Sequence, residues 1–211
     1  MAGLRESQKA GRRARILDAA RRHFLESGFE AATIEALAES AGVSAVTVYN
    51  YYGTKRGLLL ALVGQSDDML IGKIDSFIAN PPDDPLEALS GLSIVIREHN
   101  LGYLKKPIWR HVIATSVIEG SSNFGRSYAA LDRKLGELFG NLLKTLVRRG
   151  ALDASIDFAA AGETLFNLQN SRFIEFMADD AATPPDMDQR VRGDNALVLG
   201  RYIAGCDSIS A

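Results

Sequence analysis

Between Thr33 and Tyr52 the chain reads TIEALAESAGVSAVTVYNYY, a stretch in which short hydroxyl side chains recur at the places where helices must begin. Such groups accept hydrogen bonds from the free amides of a helix start, and they also meet phosphate oxygens and base edges. Ser44, Ala45, Val46 and Thr47 open the second helix of this stretch, the end by which such a helix reads a major groove. Their chemistry is hydroxyl hydrogen bonding together with apolar contact to thymine methyl groups, in place of arginine readout of guanine. Thr33, Tyr49, Tyr51 and Lys55 lie at helix starts or on and just past the second helix, where hydroxyls and an ammonium suit phosphate oxygens. Tyr52 reads as core.

Other chemistries find little support. The serines, Ser93 and Ser116 among them, lack a nucleophile-elbow sequence, no glycine-rich phosphate loop follows a strand, and acids such as Glu119 and Asp132 have no evident partner. An enzyme is therefore not expected. Glu98 and His99 point off different sides of one helix, and His111 has no carboxylate or cysteine three or four residues away, so no metal site and no cofactor are expected. The single cysteine, Cys206, reads as a small structural residue. Polar and aromatic groups on otherwise apolar helices, namely His99, Asn100, Tyr103, Trp109, His111, Phe124, Tyr128, Asn167 and Asn170, are the candidates for a mainly hydrophobic ligand pocket.

The elements that must position these groups are helices. Ile16, Leu17, Ala20 and Phe24 mark an amphipathic helix over 6–27, stopped by Gly28. Thr33 caps a short helix with Ile34, Leu37, Ala38 and Ala41 on one face, and Ala41-Gly42-Val43-Ser44 forms a turn of the length that sets two helices steeply across each other. Ser44 caps a third helix over 45–51, and Thr54 a fourth that runs to about residue 79, where Asn80-Pro-Pro-Asp-Asp-Pro85 breaks the chain. Further helices are expected at 85–104, 107–119, 123–149, 155–178 and 187–205. No alternating run argues for a strand. The fold is thus all-α: a three-helix helix-turn-helix domain over 1–60, then a larger helical domain over 61–211 for effector binding and dimerisation.

The helix expected at 155–178 carries apolar residues around most of its circumference and must bury more than one face. One face suits its own domain; Phe158, Phe166 and Phe173, with Leu197 and Tyr202 of the last helix, are the candidates for a two-fold dimer interface. Charge divides the same way as fold. Residues 1–65 carry a net +3 and the remainder −5, a basic head on an acidic body, which suits a protein whose head alone meets a polyanion. No apolar stretch approaches the roughly 20 residues needed to cross a bilayer, so the protein is expected in the cytoplasm with no membrane partner.

From Arg12 to Leu62 the chain resembles the DNA-binding domain of the tetracycline-repressor (TetR) family. The features that carry the resemblance are Ile16-Leu17-Asp18-Ala19-Ala20, Phe24, Gly28-Phe29, Thr33-Ile34, Leu37-Ala38, Ala41-Gly42-Val43-Ser44, Thr47-Val48-Tyr49, Tyr51-Tyr52, Lys55 and Leu58-Leu59. It implies a homodimer of all-helical subunits, one reading head each, with the last two long helices at the interface and a ligand cavity in the C-terminal domain. The expected function is a repressor that binds palindromic operator DNA and is released by a small-molecule effector. The alternative is a helical adaptor that binds protein and not DNA. Ala45 and Val46 stand where family members often have a basic residue or glycine, and Arg56-Gly57 where an acid is common, which bears on the operator sequence.

Overall fold

The computed structural model describes the backbone of residues 2–203 and all of their side chains but those of 2–5, 123 and 124. Cys206 and the side chain of Phe124 lie outside the described residues. Nine helices follow one another among the described residues: α1 (Ala2–Ser27), α2 (Ile34–Ser40), α3 (Ala45–Tyr52), α4 (Lys55–Ala79), α5 (Pro85–Tyr103), α6 (Lys106–Ile118), α7 (Asn123–Arg148), α8 (Phe158–Ala178) and α9 (Pro184–Leu199). The all-α expectation holds. The chain separates into two compact units, one made of residues 1–68 with 102–126, the other of 69–101 with 127–211. The first division falls inside α4, and the first unit takes in α6 besides the four N-terminal helices.

In the first unit the apolar spacing of the sequence does what it should. Ile16, Ala20 and Phe24 of α1 are buried with Ile34, Leu37, Ala38 and Ala41 around α2, Val48 of α3, and Leu58, Leu59 and Leu62 of α4. Three basic side chains tie the unit together by donating to backbone carbonyls: Arg15 to Ala41, Arg21 to Gly102 and Tyr103, and Lys55 to Glu30 and Ala32. Arg22 pairs with Asp18, and Arg56 with Glu119 at 2.7 Å. Much of the positive charge counted from the sequence is therefore engaged inside the head.

The second unit closes on a core of leucines, with Leu89, Leu92, Phe139, Leu142, Leu143, Leu146 and Leu165 fully buried. Gly136, Gly140 and Gly162 let α7 and α8 approach until backbones touch. A Cβ on Gly162 would stand 2.5 Å from the Gly140 nitrogen and 2.7 Å from the Gly136 oxygen. Helices α8 and α9 run antiparallel, joined by Arg172, which forks onto Asp194 at 2.8 and 3.0 Å, and by Arg190 on Glu175 at 3.0 Å. Arg97 is buried and meets Asp188 by two bonds of 2.8 Å, the geometry that lets a guanidinium leave water.

Several helix ends differ from expectation, α1 among them, which starts at Ala2. Helix α9 starts at Pro184, because Thr183 and Asp186 form a capping box and prolines at the first two helical positions have no amide to lose. It stops at Leu199 and not at 205: Leu152 bridges Ile203, and the Asp153 amide donates to the Tyr202 carbonyl, so the chain leaves the helix to pair with the α7–α8 loop. Helix α8 begins at Phe158 because Asp157 caps it, accepting from the amides of Ala159 and Ala160.

Candidate nucleic-acid interface

The geometry of the Thr33–Lys55 stretch is set by caps. Thr33 Oγ1 accepts from the Ala36 amide at 3.2 Å, and Ser44 Oγ from the Thr47 amide at 3.2 Å. Between them Gly42 adopts φ 65°, a left-handed conformation that glycine takes without the cost of about 1 kcal/mol a side chain would add, and its amide and that of Val43 return to the Glu39 and Ala38 carbonyls. Helix α3 thus leaves α2 at a fixed angle.

Helix α3 buries only Val48, which faces the unit's core. Its other face is open: Ser44 is exposed, Val46 is 67% exposed and Tyr49 47%. An apolar side chain left so bare on a short helix is unusual unless something covers it. Ala45 and Thr47 are half-buried, and the Thr47 hydroxyl bonds Ser44 Oγ at 2.9 Å, so base contact by either hydroxyl shares its atoms with the cap. Thr33 is exposed at the start of α2.

The two remaining phosphate candidates are placed differently. Lys55 Nζ donates to the Glu30 and Ala32 carbonyls at 3.0 and 3.1 Å and lies 4.7 Å from the Phe29 ring centroid. Its ammonium clamps the α1–α2 loop. Tyr51 turns toward α1, where Arg13 stacks on its ring at 5.4 Å. Tyr52 is half-buried, with its hydroxyl closed off from solvent.

Residues 16–62 match the family model described as "Bacterial regulatory proteins, tetR family". The HTH-type transcriptional repressor KstR2 of Rhodococcus jostii is 26% identical over 159 residues, 74% of each chain. Among solved structures, Thermus thermophilus FadR, a TetR-family transcriptional repressor in complex with lauroyl-CoA, superposes with a TM-score of 0.68 at 25% identity, covering 94% of this chain and 98% of its own. A TetR-family regulator from Pectobacterium atrosepticum gives a TM-score of 0.71 at 21% identity, covering 97% of both chains. Residues 16–62 are thus a DNA-binding domain of the TetR type, and the relatives that match along most of the chain are transcriptional regulators. The chain is a DNA-binding transcriptional regulator, and the adaptor reading falls.

The residues singled out for a TetR-type ligand pocket divide between the two units. Tyr103, Trp109 and His111 fall in the first unit, and His99, Tyr128, Asn167 and Asn170 in the second. Tyr103 donates to Gln65 Oε1 at 3.1 Å, and burial raises its pKa. His111 stacks on Phe29 at 4.7 Å with Glu30 3.6 Å from its Nδ1, while Trp109 and His99 are buried. Tyr128 and Asn170 are half-buried, and Asn167 faces solvent on α8. Three cavities lying within single units, of about 670, 530 and 200 Å³, have none of these residues in their walls.

The amides that α8 and α9 bury are instead Gln169 and Asn195, with Gln169 Oε1 and Asn195 Nδ2 lacking hydrogen-bond partners. Helical spacing was the available signal, since Gln169 lies three residues after Phe166 and four before Phe173, on the buried stripe.

The dimer candidates need a correction. Phe166 and Phe173 are buried in their own subunit, Phe166 against Phe139 with centroids 6.2 Å apart, so neither ring is free for a partner. Phe158 and Tyr202 are partly buried against the same core. Leu197 is the one of the five that stands clear, 86% exposed, and Ile174 on α8 joins it at 41%. The aromatic residues Phe166, Phe173 and Phe176 of α8 share its core face with Leu165 and Met177, and Ile174 stands on its outer face.

Among the described residues no helix is long and apolar enough to cross a membrane, and no group of three or more histidine, cysteine or acidic residues is placed to hold a metal ion.

Proposed function

We propose that this regulator is a cytoplasmic homodimeric repressor whose 1–60 segment reads a palindromic operator and whose 61–211 segment binds a small-molecule effector and the partner subunit. Ser44, Ala45, Val46 and Thr47 contact base edges; Thr33, Tyr49 and Tyr51 position phosphates, and Lys55 holds the loop that carries Thr33. The observation that carries the reading is the bare outer face of the capped helix α3, with Val46 67% and Tyr49 47% exposed. A two-fold dimer would set two such faces about 34–36 Å apart, or at a matched spacing, along one side of the duplex. The relative solved with lauroyl-CoA supports an effector, and KstR2 supports repression as its direction. Effector binding then releases DNA by favouring one of two conformers, with a coupling of roughly 1–3 kcal/mol.

The test is anisotropy with a selected operator across a salt series. Affinity is expected to fall steeply with salt. Tyr49→Phe should weaken binding about threefold to tenfold on every sequence, whereas Thr47→Ala should change which bases are preferred. Binding indifferent to salt and to both substitutions would overturn the assignment.

A further inference from the structure

A duplex is a dense row of negative charge, yet the helix-turn-helix over 33–52 holds Glu35 and Glu39 and no lysine or arginine. The cations that draw it to DNA must come from elsewhere. Lys55 is bonded to two carbonyls and Arg56 to Glu119, so the residues just past α3 do not supply them.

Helix α1 does. It buries side chains only from Ile16 onward, and residues 6–15, about 15 Å of helix, are exposed throughout. That stretch holds Lys9, Arg12, Arg13 and Arg15 against Glu6, a net +3, whereas the rest of the first 65 residues carries five bases and five acids. The positive balance of the head is this half-helix. Arg15 donates to the Ala41 carbonyl, but no ion pair or hydrogen bond engages Lys9 or Arg12 among the described residues. Lys9 and Arg13 stand one turn apart on one face with Arg12 beside them, and like charges so spaced disfavour a helix that nothing packs against. A polyanion relieves that repulsion. Arg13 fixes where the stripe lies, because its guanidinium sits over the ring of Tyr51, on the last turn of α3, at 5.4 Å.

We propose that the exposed half of α1, through Lys9, Arg12 and Arg13, is a second DNA-contacting surface that grips backbone phosphates beside those met by Tyr51. It adds affinity on any sequence and leaves base preference to α3. The assignment rests on the DNA-binding reading given above and names the part of the head that supplies its electrostatic grip.

The test uses the full-length chain with Lys9→Gln and Arg12→Gln together, a pair that leaves the Arg13–Tyr51 contact in place. Anisotropy is measured across a salt series on an operator selected from random duplexes and on an unrelated duplex. Two lost phosphate contacts should lower the slope of log affinity against log salt by about 2 on both duplexes, and weaken binding at least about tenfold on each at low salt. The melting temperature should not fall, since neither side chain is buried. Lys9→Arg with Arg12→Lys, which keeps the charge, should keep the slope. An unchanged slope in the glutamine pair while the unmodified chain retains a steep one would overturn the α1 surface alone, as would a loss confined to the operator or one shared by the charge-keeping pair. An unmodified chain that binds without salt dependence would overturn the DNA reading and the α1 surface together.

Discussion

Helix α3 and the α7–α8 contact are held by opposite means. Eight residues long, α3 buries a single side chain and owes its place to a capping serine, a left-handed glycine and the helices on either side. Helices α7 and α8 are 26 and 21 residues long, and glycine faces bring their backbones together. The head spends its apolar surface on α1, α2 and α4 so that α3 can remain bare toward a partner. The second unit spends its surface on itself. What the contrast teaches is that function near α3 is written in neighbouring residues, whereas the second unit's architecture is written in residues tens of positions apart.

The largest expected effect breaks the contrast directly. Gly162→Ala places a methyl against the backbone of Gly140 and Gly136, atoms that cannot rotate aside, and should cost about 3 kcal/mol as α7 and α8 are forced apart. Gly42→Ala meets nothing within 4 Å and should cost only about 1 kcal/mol, for the left-handed backbone alone. Urea midpoints of the two variants decide it. A Gly42 variant worse than the Gly162 variant would show that the head, and not the packed helix pair, is limited by space.

A smaller effect concerns Asp132, on α7, whose pKa burial pushes up to about 6. An acid with a raised folded-state pKa is more protonated in the folded than in the unfolded chain, so it costs stability above pH 6. That cost fades as pH falls from 6 toward 4. Asp132 is partly exposed, so solvent screening reduces the full shift to a cost of about 1–2 kcal/mol at neutral pH. Asp132→Asn should therefore raise the urea midpoint at pH 7.5 and leave it nearly unchanged at pH 4. A gain equal at both pH values would remove desolvation as its cause.

The same contrast explains what could be read beforehand. The caps at Thr33, Ser44 and Thr54 and the stop at Gly28 depend on residues within four positions, so helix boundaries in the head followed from residue type. Lys55 did not: its carbonyl partners lie 23 and 25 residues away and no local rule points to them. On α8 the apolar periphery called for two buried faces, whereas within the subunit the buried residues form one stripe from Gly162 to Met177, and which aromatic residue turned inward depended on where Phe139 of α7 stood. Phe166 thus turned into its own subunit's core, against expectation, while Leu197 stays exposed on α9. The α9 terminus was missed because the Asp153 amide competes for the Tyr202 carbonyl from outside the helix.

The smallest expected effect on stability separates the two jobs of one side chain. Ser44 Oγ caps α3 through the Thr47 amide at 3.2 Å and also stands at the edge assigned to bases. Ser44→Ala removes the cap and should cost about 1 kcal/mol of folding stability together with DNA affinity. Ser44→Asp restores the cap, since a carboxylate accepts from the same amide and complements the helix dipole, yet it sets a negative charge where phosphates must come. Stability should return while DNA affinity falls below that of the alanine variant, most steeply at low salt, where like-charge repulsion is least screened. If aspartate rescued both properties together, Ser44 would act only by shaping α3, and base recognition would have to rest on Val46 and Thr47 beyond it.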